Sequence, residues 1–519
     1  MKLDGLIEGK VVYQGRKYPR TRTCSIVDKM GKKGQEFSSI YNPAPSGLMV
    51  FMDEDAFSIN EGNIGLRYYL ETKWSDDHSE CWGWQYTHSF LYGKPSHEAI
   101  PNLSRIQLHL TNLPPSPEPA KMIFSQFVFK FALLVLLSCC TLSLAKAAPL
   151  FSATDIFPPG KKHTHSSSIV QCPNGDLLAC WFHGSGERSA DDVLVQGARL
   201  KKGAKRWGPV FEMADTPGFP DCNPILHIDP KGRLRLFWIS VLAHRWECGL
   251  LKFRRAEDYQ GAGAPKWSWQ GVVQLKPGPI FATVMKQRFD ELKLNTAMWA
   301  EYAQPYEALL LKAAKDPFKR QTGWMPRTHP LTLPSGRILL PLYSDGFNAS
   351  LVAISDDNGD SWRASQPIIG LGPIQPSLAK QRDGTIIAFC RDSGPPPGRV
   401  MVSLSLDNGE SWSAARDTDI PNPGSSLEVI VLRDGRWLIV YNDSTKSRDN
   451  LTISISGDEG KTWPLKQRLE PQSDGATSFG YPSVIQSADG TVHITYTCVG
   501  PHGGRIRHGM LQPGQLKTD

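Results

Sequence analysis

Six polar side chains of different chemistry recur at one position of this sequence: His165 or Ser166, Asn223, Arg327, Gln375, Ser426 and Tyr481. Each lies nine or ten residues before a turn glycine, namely Gly175, Gly232, Gly336, Gly384, Gly435 and Gly490. The residues around them repeat while these six differ, which is how a binding site looks on a repeating scaffold. A guanidinium holds a carboxylate with a planar fork. An imidazole titrates near neutrality. A phenol, with an ordinary pKa near 10, is a weak nucleophile unless a base or a charge assists it.

The elements that must position these groups are hairpins. An apolar strand follows each turn glycine: LLACWF, RLRLFW, RILLPLY, TIIAFC, RWLIVY and TVHITY. A second motif, S-x-D-x-G-x-x-W, occurs at Ser355–Trp362, Ser405–Trp412 and Ser456–Trp463. Its Asp bonds turn amides, its Gly supplies the permissive backbone and its Trp packs beneath. Copies about fifty residues apart predict an all-β fold, a six-bladed β-propeller of four-stranded blades. Ligands then sit over the central channel. The spacing roughly doubles between Gly232 and Gly336. Gln287 to Lys315 is helical in character there, so a helical insertion is expected at about 282–320, read as a lid. A seventh, degenerate blade is the alternative.

Gly (46), Pro (40) and Trp (15) are plentiful in the 519 residues, which suits many short strands and tight turns. The net charge of +7 comes from no long basic run, so nucleic acid is not an expected partner. No Cys/His spacing suggests a metal, and no cofactor is expected.

Met122 opens a stretch with the order of an export signal. Lys130 supplies the charge, Phe131–Leu144 is apolar, and Ala145-Lys146-Ala147 forms an A-x-A site. The apolar run is short for a membrane span, so no stable insertion is expected. The reading is a signal peptide at 122–147, a secreted or periplasmic propeller at 148–519, and residues 1–121 as an upstream extension or a small separate region. Cys172, Cys180, Cys222, Cys248, Cys390 and Cys498 remain after the signal. An exported chain permits disulfides, and Cys172 and Cys180 flank one turn.

From about His163 to Val499 the chain resembles the sialidase (neuraminidase) superfamily, most closely from Pro373 onward. That resemblance implies an arginine triad for a sugar carboxylate, an Asp acid/base, and a Tyr nucleophile assisted by a Glu. Arg391 in TIIAFCRDSG and Arg448 in RDNLTISISGDEGKTW match the second and third arginines. Tyr481 in FGYPSVIQSADG matches the nucleophile, and the acid falls on Asp191 or Asp192 in GSGERSADDV. Two positions depart: His165 stands at the first arginine, and Gln375 where the assisting Glu is expected. Arg188 and Arg327 have no family counterpart and could supply the missing charge. Asn223 joins them as a candidate contact.

The resemblance implies an exo-acting glycosidase for an acidic, sialic-acid-type oligosaccharide or glycoconjugate. The departures keep two alternatives open: a uronate-glycan lyase or hydrolase using His165 and Tyr481 for proton transfer, and a non-catalytic sugar-binding propeller.

Overall fold

The computed structural model describes the strands between Leu3 and Gly93 and residues 151–293, 300–470 and 475–512. The segment 122–147, read above as an export signal, lies outside them. The chain divides into two compact units, Met1–Phe129 and Lys130–Asp519. The first holds an eight-stranded antiparallel sheet, in which Asn63–Thr72 pairs with Leu48–Met52, Ser58–Asn60 and Tyr86–Gly93.

The second unit contains six antiparallel sheets, the blades of a propeller. The first strands of the blades, which line the channel, are His163–Gln171, Asp221–Ile228, Met325–Pro326 with Leu331–Thr332, Pro373–Lys380, Glu428–Val431 and Ser478–Gln486. Blade 6 closes the ring with Phe151–Asp155 as its outermost strand, placed so that Arg507 opposes Asp155 and Leu511 opposes Phe151. The second strands are mostly buried, and Leu234–Val241 is buried throughout. They are covered on both faces by neighbouring blades, so they are apolar without alternation. Each S-x-D-x-G-x-x-W motif turns the third strand of its blade into the fourth. In blade 4, Asp407 Oδ1 accepts from the amides of Glu410 and Ser411 at 3.1 and 3.0 Å. Gly409 takes φ +89° and Trp412 is buried beneath the turn.

Four of the first strands share an irregularity that aims their polar positions. Their register shifts between His165 and Ser168, Cys222 and Ile225, Ile374 and Ser377, and Gly480 and Ser483. Inside each bulge one residue adopts left-handed backbone: Ser166 (φ +56°), Asn223 (+52°), Gln375 (+52°) and Tyr481 (+54°). Such a conformation costs a non-glycine residue about 1–2 kcal/mol, and here it turns the side chain out of the pleat. Pro224, Pro376 and Pro482 follow three of the four. A proline brings no N–H to be left unpaired in the bulge.

The first strand is also an edge strand, and its unpaired amides are met by the preceding blade. Ser168 accepts from Leu226 N at 3.0 Å, Ser377 from Val429 N at 2.9 Å, Glu428 from Val484 N at 2.7 Å and Ser483 from Ile169 N at 3.3 Å. All four acceptors stand two residues after a site position. Where the next blade offers Pro330 and therefore no amide, the equivalent residue is the apolar Ile225. Ser377→Ala leaves the Val429 amide buried without this acceptor, and it is expected to cost about 1–3 kcal/mol. Urea unfolding would measure the loss as a lower midpoint at unchanged slope.

The insertion forms three helices, Ile280–Leu292, Ala300–Ala314 and Pro317–Gln321. Phe281, Met285, Phe289 and Leu310 share a core with Leu251, Val273, Trp324 and Phe347 of blades 2 and 3 and their flanks. Trp324 and Phe347 stack with ring centres 5.9 Å apart. Among the described residues, these helices pack on the flank of blades 2 and 3. The disulfides permitted by the sequence do not form: the six cysteines from Cys172 to Cys498 are free. Cys172 closes the tight turn through its amide on Asp176 O, while Cys180 sits further up the hairpin opposite Ser168.

Candidate functional site

Tyr481 is the hub. Its phenolic oxygen accepts from Arg391 Nη1 at 2.9 Å and Gln375 Nε2 at 3.3 Å. The Arg327 guanidinium lies 4.9 Å from the tyrosine ring centre and that of Arg448 5.8 Å from it. The His165 ring sits against the same phenol, with centroids 3.9 Å apart. The site thus gathers five neighbours on one phenol: Gln375 from the first strand of blade 4, Arg391 from the end of its second strand, Arg448 from a blade 5 loop, Arg327 from the break in the first strand of blade 3, and His165 from blade 1.

Arg327 is fully buried, donates to Pro482 O at 2.8 Å and has no partner for its Nε. Arg448 donates to Gly424 O at 2.6 Å. Among the described residues, none of Arg327, Arg391 and Arg448 forms an ion pair with a carboxylate. Three withdrawn cations without a carboxylate partner are costly in isolation, and an anion would complete them. The same cluster acts on His165. Burial first, and then His163, Arg448, Arg327 and Arg391, hold its imidazole well below the ordinary histidine value. It is neutral at neutral pH and has a nitrogen free to accept.

The remaining sequence candidates divide. Gln375 is buried against Tyr481, and Asn223 Nδ2 donates to the Tyr343 hydroxyl at 3.0 Å. Ser426 is buried with its hydroxyl unpartnered. Arg188 is on the rim, its guanidinium 5.4 Å from the Trp246 ring centre. His329, two residues after Arg327 and not among those candidates, lies on Glu428, its Nδ1 2.9 Å from a carboxylate oxygen. Asp191 and Asp192 are engaged elsewhere: Asp191 with His244 Nε2 at 2.7 Å, Asp192 with Lys162 Nζ at 2.9 Å and the Ser185 amide at 2.8 Å. Sequence reasoning missed Tyr343, Asp345 and Glu187. Asp345, two residues after Tyr343, is exposed. Glu187 lies four residues before Asp191 in the same loop, and its being a charged residue on that loop was the available signal.

A family comparison finds a repeat domain in the same part of the chain. The model of the BNR repeat-like domain matches residues 175–310 and 312–494, more than half of the chain. The chain belongs to the BNR repeat-like family. It is a propeller of the sialidase superfamily. A sialidase of Micromonospora viridifaciens is 30% identical over 152 residues, 27% of this chain and 22% of that protein. An anhydrosialidase of Macrobdella decora is 25% identical over 179 residues, 31% of this chain and 23% of that protein. The matched part is thus under a quarter of the length of either. Among solved structures, a Hadza microbial sialidase superposes with a TM-score of 0.53 at 16% identity, covering 70% of this chain and 69% of its own. A leech intramolecular trans-sialidase superposes with a TM-score of 0.51 at 12% identity, covering 93% of this chain and 90% of its own. At such identities the structures speak for the BNR-type fold alone.

Proposed function

We propose that this BNR-repeat propeller is an exo-acting glycosidase for acidic glycans of the sialic acid type, exported from the cell after cleavage near Ala148. The observation that carries the reading is the cluster of guanidinium groups, without carboxylate partners, around one phenol. Arg391 and Arg448 take the sugar carboxylate. Tyr481 attacks the anomeric carbon and its proton passes to the neutral imidazole of His165, since Gln375 cannot accept it as a carboxylate would. Water then releases the sugar and the proton returns to the tyrosine oxygen. The sialidase and anhydrosialidase names of the relatives support the substrate class.

His165 beside Tyr481 favours one second reading. In uronate-containing glycans the same pair could remove and return protons in an elimination, with arginine neutralising the uronate. Residues 148–519 offered an aryl sialoside and, separately, uronate oligosaccharides decide between them. Released sialic acid supports the first reading, and an unsaturated uronate absorbing in the ultraviolet supports the second. Tight binding with no product would leave a sugar-binding module.

Arg391→Lys keeps the charge but loses the fork and the bond to Tyr481. It is expected to raise KM for a carboxylate sugar at least about tenfold, roughly 1.4 kcal/mol. Unchanged KM would remove Arg391 from carboxylate binding.

A further inference from the structure

The bulges that aim the site leave backbone groups out of the ladder. In each, two residues of the first strand oppose one of the second. Ser166 and Ser167 oppose Trp181, Gln375 and Pro376 oppose Cys390, and Tyr481 and Pro482 oppose Tyr496. The extra residue is unpaired there, so its carbonyl must find a partner elsewhere.

Blade 3 supplies these partners. Its first strand is broken: Pro326 pairs with Leu342 and Leu331 with Leu339, so the four residues 327–330 cover a stretch that two residues cover on the facing strand. From this surplus, Arg327 Nη2 donates to Pro482 O at 2.8 Å and Nη1 to Ser167 O at 3.5 Å. Thr328 Oγ1 donates to Pro376 O at 2.5 Å. In all three bulges the carbonyl taken is that of the second bulge residue, directly after Tyr481, Ser166 or Gln375. Arg327 and Thr328 are each 1% exposed, whereas Arg391 and Arg448 keep partial exposure. The Arg327 guanidinium therefore belongs to the frame beneath the phenol, 4.9 Å from its ring centre, and the other two arginines face the open side.

We infer that Arg327 and Thr328 are positioning residues, which clamp the bulges carrying His165, Gln375 and Tyr481 and so fix where the phenol meets a bound sugar. The catalytic consequence rests on the glycosidase reading, but the clamp itself does not. The planar fork of Arg327 reaches two carbonyls of different blades at once, and a lysine ammonium has no such fork. A reacting group displaced by about 1 Å loses about 10²-fold in rate.

Arg327→Lys should lower kcat on an aryl sialoside about 10²-fold and leave KM within a few-fold of wild type, because Arg391 and Arg448 still hold the carboxylate. Thr328→Val keeps the side chain's shape but leaves Pro376 O without its donor. It should lower kcat roughly tenfold, and Thr328→Ser, which restores the hydroxyl, should recover most of the loss. This pair decides the matter where Arg327→Lys does not fold. With 3-fluorotyrosine at position 481, the fluorine resonance should be single and narrow in the otherwise unchanged protein, and broadened or split in folded Arg327→Lys. A raised KM at unchanged kcat would make Arg327 a carboxylate ligand and overturn the assignment. So would a fluorine resonance as narrow in Arg327→Lys as without it, or a loss in Thr328→Val that serine does not recover. A wild-type protein inert on the sialoside overturns the glycosidase reading alone, and the fluorine spectra then still decide the clamp.

Discussion

Tyr481→Phe is expected to lower kcat on an aryl sialoside on the order of 10³-fold or more while substrate affinity changes little. The substitution keeps the ring, so it keeps the contact with His165 and the two guanidinium groups over the ring face. It removes only the oxygen that accepts from Arg391 and Gln375. Arg391 then loses an acceptor but gains freedom to meet a substrate carboxylate, so binding has no reason to weaken. A matched fall in kcat and in affinity would mean that the hydroxyl organises the pocket rather than reacting. Full activity would detach the tyrosine from the chemistry altogether. Steady-state kinetics with an independent binding measurement separates the three.

The position of Tyr481 was legible because a propeller repeats its geometry. A fixed offset from six turn glycines picks out the channel-facing residue of each blade, and four of the six stand in left-handed bulges. Arg391 and Arg448 were legible only through family motifs, since strand ends and loops carry no period. That Arg327 stacks beneath the phenol had no sequence signal, because a ring contact between blades 3 and 6 leaves no local pattern. The choice of Asp191 and Asp192 followed residue type, but burial and pairing distinguish carboxylates on one loop, and neither can be read from spacing. The helices of the insertion were visible in composition. Their docking on blades 2 and 3 was not, because an apolar helix face does not name the surface it covers. The hairpin cysteines misled for a simpler reason. Cys172 faces the end of its turn, and Cys180 lies several residues along the opposite strand.

Glu428→Ala is expected to lower the stability of the propeller by about 3–5 kcal/mol, the usual cost of breaking a buried ion pair from one side. Glu428 is 2% exposed and fastens its own blade 5 both to the adjacent blade 6 and to blade 3, which is not its neighbour. One carboxylate oxygen accepts from the His329 amide at 2.7 Å and its Nδ1 at 2.9 Å, and the other accepts from Val484 N at 2.7 Å. His329 Nε2 in turn donates to Ile169 O at 2.8 Å. Blades 1, 3, 5 and 6 thus meet across the channel floor through two side chains. Burial alone would raise Glu428, but His329 first and then Arg327 draw it below the ordinary glutamate value. Burial would lower His329, but Glu428 and the carbonyl of Ile169 hold it above the ordinary histidine value. The signs set a pH window. The depressed Glu428 contributes fully above its unfolded value near 4.5, and the contribution is lost as pH falls through the folded value. The raised His329 contributes fully below its unfolded value near 6.5, and the contribution is lost as pH rises through the folded value. The stability difference between wild type and His329→Gln should therefore be greatest between about pH 4.5 and 6.5 and shrink on either side. Urea unfolding of both proteins across that range measures it. A difference independent of pH would mean that the pair is held as neutral partners and ties the blades by hydrogen bonds alone.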